Sequence, residues 1–211
     1  MLSQTHWLIG DTVAQIAAEQ IPGRINKLAF CWGNVLPDLV RPYSIIPHTI
    51  NGSGPLLTKL LGQTQLIQFK GPWTLYVHLG IISHLLSDYF CLAHNEPSLE
   101  AVVPHVIYEA KLHSSINGRR LRNLALATLK TRGSEACELR RYLEVKHQDY
   151  KNEAPGPLTD VAYALNAVLG LIYSLPEPAG CRRGVFSVDL GRVKTAGNIF
   201  PAPGIGIVLN A

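Results

Sequence analysis

Residues 73–95, WTLYVHLGIISHLLSDYFCLAHN, constrain this fold more than any other stretch. Most positions are Leu, Ile, Val, Tyr, Phe, Ala or Gly, which predicts one long core helix ending near Asn95, before Pro97. Yet His84 and Asp88 stand near its middle and His94 at its end. Four positions separate His84 from Asp88, so both project from one face about one turn apart. Burying a carboxylate beside an imidazole is costly unless the two are paired or bound to a metal. A hydrogen-bonded pair is one solution, and the centre of a metal site is the other.

The next predicted helix repeats the pattern with His105 and Glu109. Two helices that each turn a His and a carboxylate inward form a frame for metals in helical proteins. His94 falls between the pairs, and Asp38, His48 and His6 lie upstream. Imidazole mixed with carboxylate favours zinc over calcium or magnesium, in two or three ions. His78 reads as a hydrogen-bonded core residue, and His113 and His147 as surface residues.

The remaining chain predicts an all-α, multi-helix single domain over 1–175, followed by a Pro- and Gly-rich irregular tail over 176–211. Thr5 is expected to cap a helix to about Gln20, broken by Pro22-Gly23. A second helix is expected from Ile25 to Trp32. Gly33, Pro37 and Pro42 then suggest a loop carrying Asp38, and 41–54 reads as irregular, with His48 inside it. Helices are further expected over 55–67, from a Ser98 cap to Asn117 with a kink or restart at Pro104, and over 119–131, 134–151 and 159–175. Gly118 is expected to terminate the helix before it.

Charged residues make up only 16% of the 211 residues, below the usual quarter, against 47% hydrophobic. That balance fits a compact core, or an apolar surface facing lipid or a partner. The +4 formal charge is mild. Cys31, Cys91, Cys137 and Cys181 form no Cys-x-x-Cys and are expected to be reduced thiols. No signal peptide is evident at the N-terminus, and His78, His84 and Asp88 argue against a membrane span through 73–93. A cytoplasmic location is the expectation.

The order His84-x-x-x-Asp88-x-x-x-x-x-His94, then His105-x-x-x-Glu109, resembles the zinc-dependent phospholipase C family, whose fold and metal motif the fungal single-strand nucleases share. Gly33-Asn34-Val35-Leu36-Pro37-Asp38 looks like the family's Asp-bearing loop, and Thr5-His6-x-x-Ile9 like its N-terminal His motif. The resemblance covers residues 5 to 109. It implies an all-α fold with a trinuclear zinc cluster. His48, His84 and Asp88 would hold one ion, and His94, His105 and Glu109 another. Asp88 would bridge to a third, held also by His6. Asp38 would be the general base or a further ligand. In the secreted relatives a processed N-terminal Trp chelates the third ion; here Met1 would have to take that place.

The activity implied is phosphoester hydrolysis, with Asn95 as a candidate hydrogen-bond donor beside the site or toward phosphate. The substrate is open between a phospholipid, with possible peripheral membrane contact, and single-stranded nucleic acid or another phosphodiester. Aromatic residues such as Trp7, Trp32, Tyr43, Trp73, Tyr76 and Tyr89 suit a choline cage or base stacking, or are simply core. Arg119, Arg120, Arg122, Lys130 and Arg132 cluster, with a solvated helix face as the plain reading. A non-catalytic helical protein with structural zinc, docking a partner or membrane, is the alternative of another class.

Overall fold

The computed structural model describes residues 1–20, 25–131, 135–137, 139–174 and 205–207. These form helices α1 (Ser3–Gln20), α2 (Lys27–Leu39), α3 (Ile50–Ile67), α4 (Pro72–Tyr89), α5 (Val102–Ser115), α6 (Gly118–Thr131), α7 (Leu139–Asn152) and α8 (Pro157–Ser174). A short parallel pair joins β1 (Glu135–Cys137) to β2 (Ile205–Ile207). The all-α expectation holds for the body. β1 occupies the start of the stretch expected to be helical from 134. The tail expectation falls largely on 175–204 and 208–211, outside the described residues.

Helix α4 is the axis of the fold. Every residue from His78 to Tyr89 is buried. That all-round burial explains why its apolar residues show no single stripe. It packs against α2, α3 and α8. The crossing with α2 is close because Gly33 and Gly80 meet there. A Cβ added at Gly33 would lie 2.2 Å from the Val77 carbonyl oxygen, and one at Gly80 would lie 2.3 Å from that of Phe30. Gly33 is therefore a helix-crossing residue, not the loop-former expected from sequence. α2 runs on through Pro37 to Leu39, so Asp38 rides its last turn rather than a loop.

Other ends also moved. α1 begins at Ser3, which places Thr5 within the helix, where it is buried. α3 begins at Ile50, where Thr49 Oγ1 accepts the Gly52 N–H at 3.0 Å and supplies an N-cap that outweighs Gly52, Gly54 and Pro55. α5 restarts at Val102, which makes Pro104 its third residue, a place where no N–H is required. Ser98 sits in a separate single-turn 3₁₀ segment, and Gly118 opens α6 instead of ending α5. No helix among the described residues is long and apolar enough to cross a membrane.

Candidate metal centre

The largest departure from the sequence reading is the end of α4. The helix stops at Tyr89, and residues Leu92–His94 form a separate 3₁₀ turn. Six positions apart on one helix, Asp88 and His94 would face different ways. The break returns His94 Nε2 to within 3.3 Å of Asp88 Oδ1.

Three groups hold this break in place. Asn95 Nδ2 donates to the carbonyls of Tyr89, at 3.0 Å, and Cys91, at 2.8 Å. Its Oδ1 lies 2.7 Å from His147 Nε2, which donates to it. Asp160 of α8 accepts the Leu92 N–H at 2.9 Å and the hydroxyls of Tyr108 at 2.8 Å and Tyr150 at 2.9 Å. Asn95 thus gives its amide protons to backbone, not to a site ligand. His147, expected at the surface, is buried. Burial lowers its pKa from 6.5 to about 4, so the ring is neutral at pH 7. His113 is half-buried, with Nδ1 3.0 Å from Thr5 Oγ1. Burial raises Asp160 from 3.8 to about 6, even against the three donors that favour its charge. His78 is the core residue expected, donating to the Leu60 carbonyl at 2.8 Å.

Asp88 is the centre of what remains. Its Oδ1 faces the Met1 amine at 2.5 Å, His6 Nε2 at 3.1 Å and His94 Nε2 at 3.3 Å. Its Oδ2 faces His48 Nδ1 at 2.9 Å and His84 Nε2 at 3.2 Å. His84 Nε2 is also 3.0 Å from His48 Nδ1 and 3.5 Å from Asp38 Oδ1. Ser3 Oγ donates to the other oxygen of Asp38 at 2.6 Å. On the far side, Glu109 Oε1 lies 2.8 Å from the Met1 amine, 3.0 Å from His105 Nε2 and 3.4 Å from His94 Nε2. All nine candidates, Met1, His6, Asp38, His48, His84, Asp88, His94, His105 and Glu109, therefore converge on one connected cluster.

The charges are tightly coupled. Burial disfavours charge on the Met1 amine, but Asp88, Cys91 and Glu109 outweigh it and raise the pKa from 8.0 to about 12. Asp88 is held well below its usual range: burial opposes this, but the amine, His94, His6 and His84 prevail. Glu109 falls to about 2 because His94 and the amine overcome its burial. Burial and the neighbouring His84 lower His6 to about 4.

Two features fit a bound cation. His84 Nδ1 must donate to the Asn34 carbonyl, 2.8 Å away, so in the neutral ring Nε2 presents a lone pair toward Asp88 Oδ2 and His48 Nδ1. Secondly, the fully buried His6 has no hydrogen-bond partner at Nδ1, and its Nε2, 3.1 Å from Asp88 Oδ1, is not in hydrogen-bond geometry. Such an orphaned ring is costly unless something else takes its lone pair. Zinc–nitrogen and zinc–oxygen bonds of about 2.0–2.1 Å in a tetrahedron place neighbouring donor atoms about 3.3 Å apart. The separations of His84 from Asp88 and Asp38, 3.2 and 3.5 Å, match that edge, and His48 is at hydrogen-bond distance, 2.9 Å from Asp88 and 3.0 Å from His84.

Asp160 and Cys91 were missed from sequence. Asp160 opens an otherwise apolar helix, and a buried acid there was the available signal. Cys91 Sγ lies within 4.8 Å of donor atoms of His94 and Glu109.

Among curated proteins and solved structures the chain has no match. The family described as zinc dependent phospholipase C matches residues 5–156, a span that takes in every cluster residue except Met1. This chain belongs to the zinc-dependent phospholipase C family.

Proposed function

We propose that the chain hydrolyses a phosphoester of the phospholipid type at a cluster of three zinc ions. His48, His84 and Asp88 would hold one ion with Asp38 beside it, Met1, His6 and Asp88 a second, and His94, His105 and Glu109 a third. The observation that carries this reading is Asp88, whose two oxygens face different donor sets. A bridging carboxylate of this kind supports ions about 3.5–4 Å apart.

Zinc, when bound, supplies positive charge for phosphate oxygens and a water acidic enough to ionise near neutral pH. The chain's own groups position and balance that chemistry. His84 is fixed by Asn34, so its ring cannot turn away from Asp88. Asp38 is the carboxylate best placed to take a proton from water. It is half-buried, and Ser3 occupies only its Oδ2. A ligand role for Oδ1 competes with this, and Asp38→Asn separates the two. Lost turnover with unchanged zinc content marks a base; loss of both marks a ligand.

Exposed apolar side chains favour lipid over nucleic acid. Val102, Val103, Val106 and Ile107 are exposed on α5, the helix that carries His105 and Glu109. Leu39, Val40 and Ile45 are exposed between Asp38 and His48. The arginine cluster lies elsewhere, while Arg41 is exposed within the second of these stretches and Lys111 on α5. Arg119, Arg120 and Arg122 are on α6, which contributes nothing to the cluster, and Arg122 pairs with Glu19 at 2.7 Å. The test compares hydrolysis of phosphatidylcholine vesicles, single-stranded DNA and a chromogenic phosphodiester by zinc-loaded protein. Vesicle hydrolysis lost on chelation and restored by zinc is expected. DNA cleavage without vesicle hydrolysis would favour the nuclease reading. Zinc bound with no hydrolysis of any of them would leave a structural zinc protein.

A further inference from the structure

Cys91 is not one of the imidazole and carboxylate donors assigned above. It stands where α4 breaks, and its backbone is clamped from both sides. Its N–H donates to the Asp88 carbonyl at 3.1 Å, and its own carbonyl accepts from His94 N at 3.0 Å and from Asn95 Nδ2 at 2.8 Å. The residue is fully buried. A buried cysteine is ordinarily a small apolar filler. This one packs with the hydrophobic core, but charge also reaches it: burial, Asp160, Asp88 and Glu109 push its thiol up, and the Met1 amine opposes them. Its sulfur, a His94 nitrogen and a Glu109 oxygen lie within 4.8 Å of one another. Zinc–sulfur bonds of about 2.3 Å beside zinc–oxygen bonds of about 2.0 Å set a tetrahedral edge of about 3.5 Å. Side-chain closure of at most about 1.3 Å brings the group to that edge. On the other side of Asp88, His6 likewise has a buried ring nitrogen, Nδ1, with no hydrogen-bond partner.

We propose that Cys91, as a thiolate, is the fourth protein ligand of the ion held by His94, His105 and Glu109. The inference rests on the zinc-cluster reading above. Binding releases the thiol proton to solvent as the zinc–sulfur bond forms; nothing is oxidised or reduced. Four protein ligands close this ion's coordination, which is the habit of structural rather than catalytic zinc. The ion would then serve as a fixed charge beside Glu109, with hydrolysis left to the ions around Asp88. A soft sulfur donor also makes this position select zinc over magnesium or calcium more strongly than nitrogen and oxygen alone.

The test is X-ray absorption at the zinc edge on the full chain, with zinc content and phosphodiesterase activity measured on the same sample. A sulfur shell at about 2.3 Å, one sulfur shared among the bound ions, is expected in the wild type and in Cys31→Ser. It should vanish in Cys91→Ser and Cys91→Ala, as should the thiolate-to-metal charge-transfer band of the cobalt-substituted protein. Zinc-loaded, active wild-type protein with only nitrogen and oxygen around the metal would overturn the Cys91 assignment and leave the hydrolase reading intact. A sulfur shell that survives Cys91→Ser would assign it to another cysteine and overturn the proposal equally. Protein that binds no zinc would overturn both. The wild-type spectrum alone decides if neither variant folds.

Discussion

The two halves of the cluster are built differently. His84 and Asp88 stand on a helix with no exposed residue from His78 to Tyr89, locked against α2 by the Gly33–Gly80 crossing. His94 and His105 stand on a short turn and on α5, where only Glu109 and Leu112 are buried. Their side chains are 15% and 25% exposed, against 0% for His84 and 1% for Asp88. The first half is positioned by backbone packing, which yields only if the core yields. The second is positioned by a polar layer, Asn95, His147 and Asp160, that can fail one hydrogen bond at a time. The α4 half should therefore respond to changes in shape, and the α5 half to changes in hydrogen bonding.

Asp88 belongs to both halves, so its loss should erase the distinction. Asp88→Asn keeps the shape but removes the charge that faces Met1, His6, His48, His84 and His94. Turnover should fall about 10³-fold, in line with removing one electrostatic anchor, and the zinc count should fall by at least one. Normal zinc content with normal turnover would refute the bridging role. Gly80→Ala tests the packed half alone. Its new Cβ would meet the Phe30 oxygen at 2.3 Å and Gly33 Cα at 2.7 Å, both backbone atoms that cannot step aside. Separating the helices should cost about 3 kcal/mol, read as a lower denaturation midpoint. An unchanged midpoint would mean that α2 and α4 are not locked at this crossing.

The polar half carries a pH dependence. His147 has a folded pKa of about 4 against 6.5 for a free ring. A depressed histidine contributes stability that is fully present above pH 6.5 and is lost as pH falls from there toward 4. The shift corresponds to about 3 kcal/mol, reduced to about 2 kcal/mol by residual solvent screening. Asp160 has the opposite sign: raised from 3.8 to about 6, it favours the fold at low pH and loses that contribution as pH rises through 6. His147→Gln should therefore flatten the acid side of the stability profile measured between pH 7 and 4. A profile that keeps the wild-type slope would remove His147 from the layer that supports His94.

This division also explains what the amino-acid sequence revealed. His84/Asp88 and His105/Glu109 are four residues apart on helices, so local geometry alone places each pair on one face. The helical class followed from periodicity in the same way. The α4 break did not. It depends on Asp160, more than sixty residues downstream, and on an Asn95–His147 bond that no local pattern announces. Asp38 was assigned to a loop because Gly33 and Pro37 are loop-formers in isolation. The structure uses Gly33 for a contact with Gly80, which tertiary packing alone defines. Spacing in sequence groups Cys91 with the other cysteines, and the groups whose charge reaches it lie on α4, α5, α8 and at the N-terminus.

The smallest expected effect bears most directly on the polar half. Asn95 makes no contact with Asp88, Glu109 or any imidazole of the cluster among its hydrogen bonds; it holds Tyr89, Cys91 and His147. Asn95→Ala leaves all proposed ligands in place and removes only what fixes the turn before His94. Outer groups of this kind typically change metal affinity by about 10–100-fold, and the lower figure suits a turn that Asp160 still holds from the other side. In a chelator titration one zinc should leave the variant about tenfold more easily, while the ion beside His84 dissociates as in the wild type. A uniform weakening of every ion would mean that the cluster responds as one body, and the contrast between packed and hydrogen-bonded halves would not hold. If no ion weakened, Asp160 alone would suffice to place His94, and Asp160→Ala should then produce the selective loss.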